Sequence, residues 1–286
     1  MKTRFITVPY DSGRRDWRLG AGPQHWIASG IVDELTSRGH AVTRADIALQ
    51  GGDRPEIAGA FEIARELAAE VRTALHSHEL PIVLAGNCAS SWGTVAALRD
   101  LEPAVIWFDA HGDLNTPETT SSGFLDGMSL AALTGRCWQG MTEAIEGFSA
   151  INDRNVVLIG VRDLDPAERE LVDRGAITRA RLMEPLREKL EDLRLRCRVA
   201  YVHLDLDVID AAVGRANQFA AYHGLSGIDL IDALRLIQQY VPIAGINITA
   251  YDPAIDTDRA IERIGGDLLR ALPEILAEPQ IEAQPM

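Results

Sequence analysis

VIWFDAHGDLNTPETTSSGFLDG, residues 105–127, is the stretch from which the rest of the chain can be read. It opens as the unbroken apolar run of a buried strand and turns polar at Asp109, which puts Asp109, His111 and Asp113 at alternate positions. In an extended strand end, side chains two apart project to one face, so two carboxylates and an imidazole are expected to converge. A second cluster, His203-Leu204-Asp205-Leu206-Asp207, ends the apolar run 199–202. A single Asp or His at a strand end is often only a cap or turn residue bonded to loop backbone. Two clusters need another reason, because carboxylates packed side by side repel unless protons or a cation neutralise them. Oxygen donors relieved by an imidazole suit Mn(II) or a similar hard divalent ion, and acids shared by two ions make a binuclear site.

Working outward, apolar runs predict strands over 4–8, 42–48, 80–84, 156–161 and 243–249. Between them, helices are predicted after Pro23 to about Arg38, over 56–78, with Ile63, Leu67, Val71 and Leu75 at helical spacing, and over 92–98 and 128–133. Further helices are predicted over 166–173 and 179–196, from after Leu225 to about Tyr240, and up to about Leu276, beyond which the tail AEPQIEAQPM is expected to fray. Strands alternating with helices call for a three-layer α/β/α architecture with a mostly parallel sheet, here as one domain over 1–286. Every polar cluster follows a predicted strand, and in open α/β sheets the ligand crevice lies at those carboxyl ends.

The 286 residues, 47% hydrophobic and 24% charged, are those of a folded globular protein. A net charge of -14 repels a phosphate backbone or an anionic membrane, so neither nucleic acid nor membrane is expected as partner. Cys88, Cys137 and Cys197 are too few and too odd for a disulfide framework, which points to a reducing cytoplasm. The N-terminus MKTRFITVPY lacks the apolar core of a signal peptide, and no later stretch is apolar enough to span a bilayer.

Other chemistries lack their motifs. Gly86 follows a strand without the GxGxxG spacing, and neither a P-loop nor a GxSxG elbow occurs. Cys88, in an exposed turn before a helix, is a candidate low-pKa nucleophile with no base nearby in sequence. Asp165 before Pro166 reads as a helix cap, and His25, His40, His76, His78 and His223 read as surface or packing residues.

Taken together these residues resemble the ureohydrolase superfamily, the arginases and agmatinases, over nearly the whole chain. DAHGDLN (109–115) is similar to the family's DAHxDxN, HLDLDVID (203–210) to SxDxDxxDP, and AGNCASSWGT (85–94) to GGDHSxxxGT, with GAGP (20–23) before a helix. The resemblance implies two Mn(II) ions bridged by Asp109 and Asp205, the first completed by Asp113 and Cys88, the second by His111 and Asp207. It implies metal-assisted hydrolysis of a guanidinium or amidine C–N bond by a metal-bound hydroxide, with Asp113 and Asp126 as the catalytic residues. Asn115, Ser122 and Asp165 match positions that hold the head group of an amino acid substrate, and relatives are commonly homo-oligomers, trimers or hexamers. Four positions depart from the pattern. Cys88 stands for a metal-binding His, Asp126 for a proton-shuttling His, Ala250 for the Glu that pairs with the guanidinium, and Phe219 for a Thr near that group. The missing Glu at position 250 favours a less basic substrate such as an N-hydroxylated arginine. Two alternatives remain, a single-metal amide hydrolase resembling the deacetylase fold through Asp109, His111 and Asp207, and a degenerate member that only binds ligand.

Overall fold

The apolar runs become strands whose alternate residues enter different cores, so both faces of the sheet must be covered. The computed structural model describes residues 2–175, 177–180, 184–278 and 280. Among them, β1 (Lys2–Val8), a small antiparallel hairpin of β2 (Tyr10–Asp11) and β3 (Arg14–Arg15), and β4 (Ala41–Asp46) open the chain. β5 (Leu80–Ala85), β6 (Pro103–Phe108), β7 (Val156–Ile159), β8 (Thr178–Ala180), β9 (Val199–Asp205) and β10 (Ile243–Thr249) follow. Eight strands pair in parallel in the order β4-β1-β5-β10-β9-β6-β7-β8. The predicted mostly parallel sheet is therefore observed.

One face is covered by α1 (Gly22–Ala28), α2 (Ile31–Ser37), α8 (Glu184–Leu193), α9 (Gly227–Tyr240) and α10 (Ala260–Leu276). Ile82, Leu84, Ile106, Phe108, Val202 and Leu204 point into that core. The other face carries α3 (Glu56–His76), α4 (Ser91–Leu98) and α5 (Ser129–Leu133), where Val83, Val105, Trp107 and Tyr201 are buried with Phe61 and Trp92. α6 (Gln139–Thr142) and α7 (Pro166–Asp173) lie in the long connections.

Two predicted helices are divided differently. The helix expected from Pro23 to Arg38 is two, because Gly30 turns left-handed at φ 83 and its carbonyl starts a new turn by accepting from Glu34 N. The helix expected over 179–196 gives its first residues to β8, which pairs with β7 at the sheet edge. Pairing across the sheet overrides the local helical preference there. Most of the tail expected to fray, residue 279 and residues 281–286, lies outside the described residues.

The four central strands β5, β10, β9 and β6 are neighbours although far apart in sequence. Their carboxyl ends deliver Cys88, Ala250, Asp205 and Asp109 to one place.

Candidate metal centre

Asp109 leaves β6 with its carboxylate fully engaged: Oδ2 accepts from Trp107 Nε1 at 3.2 Å and Oδ1 from His111 N at 2.7 Å. The convergence expected of an extended strand end is made otherwise. The chain bends after Asp109, and Asp113 sits left-handed at φ 50, which turns its side chain back towards the cluster. From β9, Asp205 Oδ1 accepts from Asp207 N at 2.8 Å, and Asp205 Oδ2 accepts from the Cys88 thiol at 3.2 Å. Asp207 is steadied by Ala110 N and Asn217 Nδ2, each at 3.2 Å. Asp109, Asp113, Asp205 and Asp207 are all buried.

Asn217 is a residue that sequence reading missed. Its side chain ties Asp207 to the Ala250 carbonyl at 2.9 Å and accepts from Phe219 N at 2.8 Å. Arg162 is a second. Its guanidinium donates to the carbonyls of Gly160, Asp207, Ile209, Ala221 and Tyr222, and so clamps the loop after β9 beneath the cluster. A third is Glu168 on α7, which accepts from Leu114 N and Asp165 N, both at 2.9 Å, and joins the loop of Asp113 to the helix start. The pattern DPAE, an acid three residues before a Glu at a helix start, was the available signal for it.

The cluster floors a cleft of about 240 Å³. Asn115, Ser122, Asp126 and Asp165 line it with Phe124 and Phe219, so every sequence-predicted site residue except fully embedded Asp109 borders the opening. Asn115 Nδ2 donates to Asp165 Oδ2 at 2.8 Å, which makes Asp165 a cleft residue as well as the start of α7. Ser122 is exposed and caps its own turn by accepting from Phe124 N at 3.2 Å. Phe124 and Phe219 stack at the lip, 5.6 Å between ring centres.

Burial, then mutual repulsion, raises Asp109, Asp113 and Asp205 above the usual carboxylate range. Burial and the charge of Asp11 push Asp126 up to about 8, although Asn87 Nδ2 at 2.5 Å and Ala89 N at 3.3 Å favour its ionised form. For His111, burial opposes the charge, but Asp207 and Asp109 outweigh it and raise the imidazole to about 10. Cys88 corrects the expectation of an exposed, acidic thiol. It is buried at 3% exposure, and burial with Asp205, Asp113 and Asp126 nearby pushes its pKa well up.

These residues fit a divalent cation. Asp113 Oδ2 is buried with no hydrogen-bond partner among the described residues, an arrangement that costs free energy unless a cation faces it. Ligand atoms of Asp109, His111 and Asp207 lie within 4.8 Å of one another, as do those of Cys88, Asp109, Asp113 and His203. His203 is the donor that the sequence reading left unassigned.

The uncompensated charge has a measurable consequence in chelator-treated protein. Asp126, raised from 3.8 to about 8, and His111, raised from 6.5 to about 10, contribute stability that is complete below the lower value and lost as pH rises through the upper. His203, lowered from 6.5 to about 3, acts in the opposite sense but only below its unfolded value. Between pH ~6.5 and ~9 the thermal midpoint should therefore fall, and the gain on adding a divalent cation should grow. Scanning fluorimetry with and without chelator reads both; a flat or rising midpoint in chelator would contradict the charge arrangement.

A model of the arginase family matches residues 2–272. The chain is 29% identical over 276 residues to an arginase of Staphylococcus aureus strain MRSA252, covering 88% of this chain and 90% of that one. It is 33% identical over 211 residues to an arginase of strain COL, covering 69% and 68%. Among solved structures, the arginase of Bacillus caldovelox superposes with a TM-score of 0.85 at 26% identity, over 98% of this chain and 100% of that one.

Proposed function

The chain belongs to the arginase family, and from that premise we propose that it is a manganese-dependent amidinohydrolase cleaving a C–N bond in a guanidino- or amidino-bearing amino acid. The observation that carries this is the orphaned Asp113 oxygen inside a buried ring of carboxylates at the floor of an open cleft. Asp109 and Asp205 would be shared between two ions, with Asp113 and Cys88 towards one and His111 and Asp207 towards the other. A divalent ion here supplies water of lowered pKa and an electrophile for the developing oxyanion.

The chain's own residues do the rest. Asp165 accepts from an α-ammonium, while Asn115 and Ser122 donate to an α-carboxylate, so the substrate enters head outward and tail towards the acids. The Phe124–Phe219 stack lines the lip with apolar surface and limits water around the bound tail. Water adds to the amidine carbon and the C–N bond to the alkyl amine breaks. Asp126, whose carboxyl group burial and Asp11 push up to about 8 in the metal-free protein, gives a proton to the departing nitrogen and regains one from the water that has added. With Ala250 at the tail end, position 250 supplies no carboxylate to pair with a full guanidinium, which favours a less basic substrate such as N-hydroxyarginine. The test is a panel of guanidino and amidino amino acids read by mass spectrometry. Release of hydroxyurea or urea supports the proposal, and no turnover of any member with Mn(II) present removes it.

Ala250→Glu should raise the kcat/KM ratio of arginine to N-hydroxyarginine by at least about tenfold, because a buried partner for a cation is typically worth more than 1.4 kcal/mol. Ala250 already adopts the left-handed backbone, at φ 61, so the change adds side chain without a new backbone conformation. An unchanged ratio would mean that the tail is not oriented towards this position.

A second reading is favoured by the compactness of Asp109, His111 and Asp207, which form a three-ligand group without the deeper residues. A single-metal amide hydrolase would release acetate or ammonia in the same panel. A degenerate ligand-binding member would show no gain from Mn(II). The three cysteines are free and buried, which supports a reducing cytoplasmic setting, and no helix of the described residues is long and apolar enough to cross a membrane. The family resemblance supports one catalytic domain assembling as a homo-oligomer, a trimer or hexamer.

A further inference from the structure

We infer that the deep end of the cleft is a mixed sulfur, nitrogen and oxygen subsite in which Cys88 and His203 together select a thiophilic divalent ion such as Zn(II) or Co(II) over Mn(II). This rests on the reading above that the site holds divalent ions, and goes beyond it in naming the donors and the choice of metal.

Ligand atoms of Cys88, Asp109, Asp113 and His203 all fall within 4.8 Å of one another, and all four residues are buried. Cys88 follows β5 and His203 lies on β9, with β10 between them, and Thr249 of β10 touches both. Its Oγ1 stands 3.8 Å from the sulfur and 3.5 Å from His203 Nε2. The thiol and the imidazole therefore approach from opposite sides of one strand, and Asp113, whose Oδ2 is unpartnered, belongs to the same group.

The bland account of His203 is a packing residue, since its ring stacks on Trp107 with centroids 3.6 Å apart. That account leaves its nitrogens unexplained. Nδ1 to Tyr201 Oη and Nε2 to Thr249 Oγ1 both measure 3.5 Å, at the outer limit of a hydrogen bond, in a side chain with no solvent exposure. An imidazole so weakly bonded is a costlier filler than a phenyl ring, and the cost is recovered if one nitrogen ligates.

Thiolate and imidazole prefer zinc, cobalt or iron, whereas carboxylates suit manganese. The outer group, Asp109, His111 and Asp207, contains no sulfur. The two ends of the site thus differ in the ions they prefer. Binding at the deep end takes the thiol proton off Cys88 and delivers it to solvent.

The test is a titration of the chelator-treated full chain with cobalt(II) chloride, followed by absorption. Wild type should develop an intense near-ultraviolet thiolate-to-cobalt band that saturates at one equivalent. Cys88→Ser should bind cobalt without that band, and His203→Gln should weaken the band-forming event by about tenfold or more. In competition dialysis, Cys88→Ser should lower the preference for zinc over manganese by about tenfold or more; comparing variant with wild type cancels the general tendency of protein sites to hold zinc more tightly than manganese. Cobalt bound to wild type without the band overturns the inference, however the variants fold, and leaves the divalent-ion reading standing. Unchanged affinity and spectrum in His203→Gln overturn the imidazole's part. Failure to bind cobalt, zinc or manganese at all overturns both readings.

Discussion

Asp113→Asn is expected to make the chelator-treated protein more stable and the enzyme about a thousand-fold slower. The two effects have opposite signs because they arise from one feature. Asp113 Oδ2 is buried without a hydrogen-bond partner, and Asp109, Asp126, Asp205 and Glu168 all raise the cost of ionising its carboxyl group. An amide of the same shape carries no charge and turns an N–H towards those acceptors, which should contribute on the order of 1–3 kcal/mol. For a chain of this length that is a rise of a few degrees in thermal midpoint, larger at alkaline pH where the native carboxyl resists ionisation most. The same amide is a poor ligand for a hard cation, so metal occupancy falls, and losing the cation's stabilisation of the developing oxyanion costs about 10²–10³ in rate or more. Scanning fluorimetry in chelator and steady-state hydrolysis with Mn(II) are the two measurements. A variant that loses both stability and activity would make Asp113 a scaffold residue and remove it from the metal centre.

The parallel sheet was legible because buried strands are written as unbroken apolar runs, and those ending in Asp109 and Asp205 carried their chemistry immediately afterwards. The same local reading failed where partners distant in sequence decide. Nothing near Thr178 announces that β7 will pair with it, and nothing near Ser29 and Gly30 outweighs the apolar spacing that runs through the break between α1 and α2. Cys88 shows the limit most clearly. A turn before a helix argues for an acidic thiol, yet burial, and then the carboxylates that β9 and the loop after β6 bring around it, reverse the shift. A close approach also had to be read from three dimensions. A Cβ on Gly86 would stand 2.2 Å from the Tyr10 carbonyl oxygen, so only glycine lets the β5 loop pass the hairpin and bring Cys88 inward. His203 was visible as a letter beside Asp205, but its meaning depends on Cys88, 115 positions away, and on the sheet order that brings the two together.

Asp126→Asn should lower kcat by about 10²–10⁴, the usual worth of a positioned proton donor, while leaving KM and metal content within a factor of about three. The side chain is held from two directions, by Asn87 Nδ2 and by Ala89 N, so the carboxyl group cannot swing away from the cleft that it lines. Asn87 is itself fixed through its Oδ1, which accepts from Ser12 N at 2.9 Å. Burial and Asp11 raise Asp126 to about 8, so in the metal-free protein it keeps its proton at neutral pH. A bound dication favours the ionised form and moves this titration lower, which places the alkaline limb of the kcat profile below pH ~8. The amide neither gives nor takes a proton, so that limb should disappear along with most of the rate. A purely positioning role would instead leave the limb in place and shift KM. A kcat within tenfold of wild type, with the limb intact, would assign proton delivery to solvent.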